Sequence, residues 1–265
     1  MISTIGAIAS SRSGLTVRTA AFIAATGISD ATIISALNTM DLSLIANGLG
    51  SKFYALYPMV GGTSTTCKYN FMSAIDADSS FRLGFSGGWS FASTGATPNG
   101  STGYADTFLN ANTTLSLNDA ALHIYNGTDT ATNCVDMGVE VGANVTEIYV
   151  RYAGTFYTFI NNASSLCQVA NTDSRGMYTS TRTASNLIKC IKNGAEQSVI
   201  SNTVVSTAKP NAKIYIGAAS VNNTASLFSD RSIRFAGISS GFTAAESATL
   251  YTIIQTLQTS LSRNV

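Results

Sequence analysis

The carboxylate residues of this 265-residue chain are the first place to look for catalytic chemistry. Retaining glycosidases need a nucleophile and an acid whose carboxyl groups lie about 5 Å apart, and an E-x-D-x-x-E run on one strand supplies such a pair. The sequence contains no such run, and Asp76 and Asp78 lie in a stretch typical of a turn. The glutamates stand far apart along the chain, at Glu140, Glu147, Glu196 and Glu246.

A serine or cysteine hydrolase is poorly supported as well, because the chain has a single histidine, His123. A catalytic triad needs a nucleophile, a base and an orienting acid, so His123 would have to be the base. It lies instead in the alternating run LHIY, which predicts a strand. We therefore expect no catalytic residue and a protein that is not an enzyme.

Two Gly-rich stretches, GFSGGWSFASTG and TPNGSTGYADT, indicate a ligand-binding surface. Neither has the spacing of a phosphate-binding loop. The only tryptophan, Trp89, is placed to stack on a sugar ring, while Asn99, Tyr104 and Asp106 provide hydrogen bonds. These four residues are the predicted ligand-binding site. The alternative is that Trp89 is a core residue of a strand over 81–92, since aromatic side chains are mostly buried.

Metal binding and cysteine chemistry leave weaker signals. Four residues carry oxygen ligands of the kind that Ca²⁺ prefers: Asp106, Asn118, Asp119 and Asn126. The sequence contains no D-x-D-x-D-G calcium loop, and the alternative is that these residues form turns. We expect no metal or other cofactor.

The cysteines are too far apart for a zinc knuckle. The four cysteines are Cys67, Cys134, Cys167 and Cys190. Either one pair of them forms a disulfide, or all four are buried thiols.

Composition narrows the range of partners. The net charge is +1, only 11% of the residues are charged, and no basic stripe stands out, which disfavours nucleic-acid binding. No apolar stretch reaches about 18 residues, so no membrane span is expected. Residues 1–25 have no cationic start before the apolar stretch and no uninterrupted apolar run, and so match a secretory signal peptide poorly.

The N-terminal segment, residues 1–62, is predicted to be helical and to serve attachment or oligomerisation. Asp30 is a good N-cap, and apolar residues follow it at helical spacing; they are Ile33, Leu37, Met40 and Leu44. The run SKFYALYPMVGG, over 51–62, is expected to add one more apolar turn and to stop at its Pro and Gly residues.

Residues 63–265 are predicted to form an antiparallel β-sandwich, because short β-branched and aromatic runs are separated there by Gly, Asn and Asp. Asn193–Gly194 marks a type I′ hairpin turn. The chain closes with a predicted helix over 243–261, where Thr243 and Glu246 form a capping box. Its apolar stripe should cover an apolar face of the sandwich.

Three segments of the second half follow one another in the order of a known fold: NLIKCIKNGAEQSVI (186–200), KIYIGAAS (213–220) and SIRFAGISSGFTAAESATLYTIIQTL (232–257). In this order they resemble the concanavalin A-like (laminin-G-like) jelly roll. The resemblance implies a mainly β antiparallel β-sandwich jelly roll, with a helical N-terminal segment and a C-terminal helix around it. It implies little about function.

A narrower resemblance rests on IANGLGSKFYALYPMVGG (45–62), AIDADSSFRLGFSGGWSFASTGATPNGSTGYADT (74–107) and FTAAESATLYTIIQTLQTSLSRNV (242–265). These segments look like a module of virion structural proteins from phages that infect Bacteroidetes. The resemblance implies a non-enzymatic spike, fibre or decoration subunit of the capsid or tail, located on the virion and partnered by other virion proteins. It also implies a homotrimer, because spikes and fibres usually have three-fold symmetry.

Host attachment through a surface glycan would suit such a subunit. The alternative function is that of a secreted bacterial lectin-like carbohydrate-binding domain that acts alone. A glycan hydrolase is the third reading, disfavoured by the missing carboxylate run.

Overall fold

The computed structural model describes residues 14–162, 167–201 and 205–265. Helices begin and end where the sequence places caps. Thr16 Oγ1 accepts a hydrogen bond from Thr19 N at the start of the first helix, and Gly27, with φ 68°, ends it. The helices are α1 (Val17–Thr26), α2 (Ala31–Ala46), α3 (Ser64–Cys67), α4 (Ala111–Thr114) and α5 (Ala244–Ser260), with 3₁₀ turns at Gly50–Lys52 and Asp78–Ser80.

Short strands make up most of the remaining regular structure. In chain order they are β1 (Phe53–Tyr57), β2 (Gly84–Ser86), β3 (Trp89–Ala92), β4 (Gly95–Pro98), β5 (Tyr104–Asn110), β6 (Ala120–Asn126), β7 (Met137–Val141), β8 (Asn144–Tyr152), β9 (Thr155–Asn162), β10 (Cys167–Ala170), β11 (Gly176–Ala184), β12 (Leu187–Lys192), β13 (Ala195–Ser201), β14 (Lys213–Ile216), β15 (Ala219–Val221), β16 (Thr224–Ser226) and β17 (Ile233–Ser239).

The described strands form two sheets. The first sheet has the order β13-β12-β11-β6-β17-β4-β3, and β1 also pairs with β17. The second sheet has the order β10-β9-β8-β7-β14-β5-β2, with β15 paired to β7 and β16 paired to β15. All of these pairs are antiparallel except β15 with β7. Several pairs of consecutive strands are joined by tight turns, such as Asn193–Gly194 between β12 and β13, where both residues have positive φ.

The inner faces of the two sheets share one apolar core. Leu122 and Ile124 of β6 belong to the same buried cluster as Ile148 and Val150 of β8, and all of them are fully buried. The predicted fold class is therefore confirmed: the chain is mainly β, an antiparallel sandwich with a C-terminal helix. Within the described residues, no helix is long and apolar enough to cross a membrane.

A second apolar cluster lies between the first sheet and a layer made of α1, α2 and α5. Sheet residues Tyr125 and Phe235 share it with Leu44 of α2 and with Leu250 and Ile254 of α5. The capping box of α5 is present: Thr243 Oγ1 accepts from Glu246 N, and the Glu246 carboxylate accepts from Thr243 N at 2.8 Å. The closing helix thus buries its stripe on the outer face of the first sheet, as its periodicity predicts.

The prediction of a helical turn over 51–62 is wrong for Phe53–Tyr57. These residues form strand β1, which pairs with β17. Ala55 and Tyr57 lie in the sandwich core, whereas Phe53 and Leu56 lie in the cluster beneath the helices. A strand that is apolar on both faces has no alternation, and its pattern alone does not distinguish it from a buried helical turn. Residues 1–13 lie outside the described residues. The boundary at residue 62 and the attachment role remain predictions.

We expect Leu250→Ala to lower the free energy of unfolding by about 2–5 kcal/mol, because its fully buried side chain leaves a cavity between α5 and the first sheet. Urea denaturation followed by circular dichroism measures this. Thr259→Ala, on the exposed side of the same helix, is the matched control and should stay within about 0.5 kcal/mol of the wild type. Equal effects of the two substitutions would contradict the packing role of α5.

Candidate functional site

The predicted ligand-binding residues lie at one corner of the sandwich, where their polar groups bind the fold itself. Trp89 lies on β3 and is partly buried against the core. Its ring packs edge-on to Phe85, with centroids 5.0 Å apart. Its Nε1 donates to the carbonyl oxygens of Ser86, at 3.1 Å, and Tyr104, at 3.2 Å. Trp89 therefore joins β3, at the edge of the first sheet, to β2 and β5 of the second sheet.

The other three predicted residues also have partners within the chain. Asn99 Oδ1 accepts from three successive backbone N–H groups of its loop, those of Ser101, Thr102 and Gly103. The Tyr104 ring stacks on that of Tyr215 at 4.7 Å. Asp106 accepts from Lys213 Nζ at 3.0 Å and from Phe108 N at 2.7 Å. Their role in ligand binding remains a prediction.

The side chains considered for calcium are held by separate partners. Asp106 pairs with Lys213, Asn118 accepts from Ser206 Oγ, Asp119 accepts from Gly241 N, and Asn126 donates to Asp136. In the part of the chain that the structure describes, no group of three or more His, Cys, Asp and Glu side chains is arranged to hold a metal ion.

The histidine and the cysteines are buried. His123 lies on β6, as its alternating sequence predicts, and its ring nitrogens contact Thr179 Oγ1 at 2.9 Å and Ser239 Oγ at 2.8 Å. Burial, helped by the charge of Lys52, lowers the pKa of His123 to about 3, so that the ring is neutral. The cysteines all lie within the described ranges and are buried free thiols, at Cys67, Cys134, Cys167 and Cys190.

The outer face of the second sheet carries a group of aromatic side chains that the sequence reasoning did not single out. Tyr149 and Tyr152 come from β8, and Tyr157 and Phe159 come from β9. Together with Leu227 they line an open cavity of about 230 Å³, and all four rings are partly exposed. We call these five residues and their cavity the aromatic pocket.

The hairpin of β8 and β9 explains why these rings meet. Tyr149 is directly opposite Tyr157, and Ala153 and Gly154 form the turn with positive φ values of 48° and 75°. Strict alternation would send Tyr152 to the opposite face from Tyr149. The register shifts between these two residues, and this irregularity brings Tyr152 into the same pocket.

The tyrosine rings stand nearly perpendicular to one another. Tyr149 and Tyr152 have centroids 5.6 Å apart and an interplanar angle of 87°. Tyr152 and Tyr157 are 6.3 Å apart at 82°, and Tyr149 and Tyr157 are 6.4 Å apart at 76°. The pocket is therefore a corner bounded by several rings rather than one flat aromatic platform.

A buried carboxylate lies next to this corner. Glu147 is opposite Phe159 in the hairpin and is fully buried. Its Oε2 accepts from the Tyr149 hydroxyl at 2.5 Å, whereas its Oε1 has no hydrogen-bond partner among the described residues. Gly138 on β7 makes room for it, since a Cβ there would lie 2.5 Å from Glu147 Cγ.

Burial is the main reason that the pKa of Glu147 rises to about 7, and the charge of Glu140 adds to the rise. The hydrogen bond from Tyr149 acts in the opposite direction and lowers this pKa. The side chain is therefore close to half ionised at neutral pH, unlike an ordinary glutamate.

A buried ion pair fixes β8 behind the pocket. Arg231 Nη1 lies 2.9 Å from Asp136 Oδ2, and both side chains are fully buried. Asp136 Oδ2 also accepts from Val150 N at 2.8 Å, and Arg231 Nη2 donates to Arg151 O at 2.8 Å. These contacts hold the backbone between Tyr149 and Tyr152 in place.

Comparison with known proteins supports the fold. No protein-family model and no curated protein matches the chain. Among solved structures, it is similar to the receptor-binding domain of botulinum neurotoxin C/D mosaic serotype, with a TM-score of 0.54 and 10% identity over 77% of this chain and 51% of that one. The binding domain of botulinum neurotoxin serotype D gives a TM-score of 0.53 and 11% identity over 77% and 52%.

The chain thus spans about half the length of each neurotoxin domain. Domain 4 of AbnA, a GH43 extracellular arabinanase from Geobacillus stearothermophilus solved with arabinotriose, gives a TM-score of 0.49 and 13% identity, over 75% of this chain and 98% of that one. At these identities, the two neurotoxin matches establish a shared β-sandwich fold and nothing finer. The virion assignment remains a prediction from sequence resemblance.

We expect the free energy of unfolding to fall as pH rises from about 4.5 to about 7, because folding keeps Glu147 protonated where the unfolded chain ionises it. The rise of the Glu147 pKa corresponds to a decrease on the order of 3 kcal/mol in the free energy of unfolding over this pH range. Glu147→Gln removes this titration. The stability of the variant relative to the wild type should therefore be greater at pH 8 than at pH 4, as measured by urea denaturation at both values. A pH-independent difference would show that Glu147 ionises normally.

Proposed function

We propose that the protein is a non-enzymatic carbohydrate-binding domain whose binding site is the aromatic pocket. The observation that carries this proposal is the group of partly exposed rings, from Tyr149, Tyr152, Tyr157 and Phe159, around an open cavity. Aromatic rings offer apolar faces to the C–H groups of a sugar, and phenol hydroxyls offer hydrogen bonds to its hydroxyl groups.

The location of the pocket supports the same proposal. The outer face of the first sheet is buried under α1, α2 and α5, whereas the pocket opens from the outer face of the second sheet. The described residues that line the pocket include no carboxylate, whereas glycoside hydrolysis requires two carboxyl groups flanking the bound sugar. The site is therefore better suited to binding than to bond cleavage.

The descriptions of similar folds are compatible with this role. The neurotoxin domains are described as a receptor-binding domain and a binding domain. For the biological setting we propose the surface of a phage virion, as a spike, fibre or decoration subunit that is a trimer and contacts a host-surface glycan. The support for this setting is the sequence resemblance over residues 45–62, 74–107 and 242–265. A secreted lectin-like domain is the alternative setting for the same pocket.

We expect immobilised glycans to retain the wild-type protein, and Tyr149→Ala or Tyr157→Ala to weaken that binding at least tenfold, because each removes one ring of the pocket. A glycan array identifies a bound glycan, and calorimetry then gives the dissociation constants. Thermal denaturation confirms that each variant is folded.

Tyr104→Ala is the matched control at the corner predicted from sequence, where the ring stacks on Tyr215. We expect it to bind like the wild type. Loss of binding in Tyr104→Ala, with normal binding in the pocket variants, would place the site at Trp89, Asn99, Tyr104 and Asp106 instead.

We expect the purified protein to be a trimer of 27.6 kDa subunits in light scattering, as a spike or fibre subunit requires. Particles purified from an infected Bacteroidetes host should contain the same chain by mass spectrometry. A monomer that is absent from such particles would contradict the virion setting and favour the lectin-like domain, without affecting the glycan-binding proposal.

A further inference from the structure

The shape of the aromatic pocket restricts what enters it. A sugar ring stacks flat on one aromatic face, whereas Tyr149, Tyr152 and Tyr157 stand at 76–87° to one another. A corner of this kind suits a compact, rounded group that touches several rings at once. With centroids 5.6–6.4 Å apart, a cation in the corner comes within about 6 Å of each ring, the range of a cation–π contact.

The charge around the pocket favours a cation. Among the residues that the structure describes, no Lys or Arg lines the cavity. Glu147 lies next to it, fully buried, with one carboxylate oxygen unpartnered among the described residues, and Glu140 is close enough to act on it electrostatically. The Tyr149 hydroxyl donates a hydrogen bond to the Glu147 carboxylate, which increases the electron density of the Tyr149 ring in the pocket.

From this geometry we infer that the aromatic pocket binds an organic ammonium group of the choline type. The inference rests on the proposed function and makes it more specific: the glycan that is bound carries a quaternary ammonium substituent. Perpendicular tyrosines and a nearby carboxylate together recognise a methylated cation through ring quadrupoles and long-range charge, without a hydrogen bond to the ligand. A neutral sugar alone uses neither the corner nor the carboxylate.

Choline and 3,3-dimethylbutan-1-ol test the inference, because the two molecules share one shape and only choline is charged. Calorimetry on the full chain at pH 8 should show choline binding at least tenfold more tightly than its neutral counterpart. Tyr152→Leu and Tyr157→Leu keep an apolar side chain but remove the aromatic ring. Each should weaken choline binding about three- to tenfold and change the affinity for 3,3-dimethylbutan-1-ol by no more than about twofold. Glu147→Gln should also weaken choline selectively, and Tyr251→Phe, on α5, is the unaffected control.

A choline-substituted glycan and phosphatidylcholine vesicles distinguish the sources of the ammonium group. Binding of free choline and of the substituted glycan supports both the inference and the proposed function. Binding of choline and vesicles, but of no glycan, supports the ammonium site and contradicts carbohydrate binding. Equal affinity for choline and 3,3-dimethylbutan-1-ol, or binding of neutral glycans without choline, overturns the inference alone. Absence of binding to every probe overturns both.

Discussion

The first sheet has to be buried on both of its faces, and the arrangement of the rest of the chain depends on this requirement. Every residue of β6, from Ala120 to Asn126, is buried. Leu122 and Ile124 require the second sheet on one side, and Tyr125 requires the helices on the other. Layers that each bury an apolar face against the next are the usual solution for such a strand. The neutral ring of His123 forms hydrogen bonds with the buried hydroxyls of Thr179 on β11 and Ser239 on β17.

The same requirement determines where the proposed binding site can lie. With α1, α2 and α5 committed to the first sheet, the broad face of the second sheet stays accessible at the β8–β9 hairpin. The buried pair of Arg231 and Asp136 then fixes β8 from within. A buried ion pair adds little net stability, because desolvation offsets its attraction. Its main effect here is to position the backbone that carries Tyr149 and Tyr152.

The fold was largely predictable because its signals are local. The capping box of Thr243 and Glu246, the stripe of α5 and the Asn193–Gly194 turn each identify an element from a few neighbouring residues. Strand β1 was not predicted, because Phe53–Tyr57 is apolar on both faces and shows no alternation. The aromatic pocket was not predicted, because the bulge that turns Tyr152 towards Tyr149 depends on how β8 pairs with β9. The sequence of one strand alone does not show this pairing. The available signal was the concentration of aromatic residues on both sides of the Ala153–Gly154 turn. The conspicuous Trp89, by contrast, lies in a strand and packs against the core.

The β8–β9 hairpin separates two tasks between its faces. Ile148, Val150, Phe156 and Ile160 point into the core, while the rings of the pocket point outward. The partly exposed rings are separate from the inward side chains, so their replacement opens no cavity in the core. The hairpin therefore separates interchangeable outward side chains from fixed inward ones: under the proposed binding role, its specificity can be changed by replacing the pocket rings without rebuilding the core.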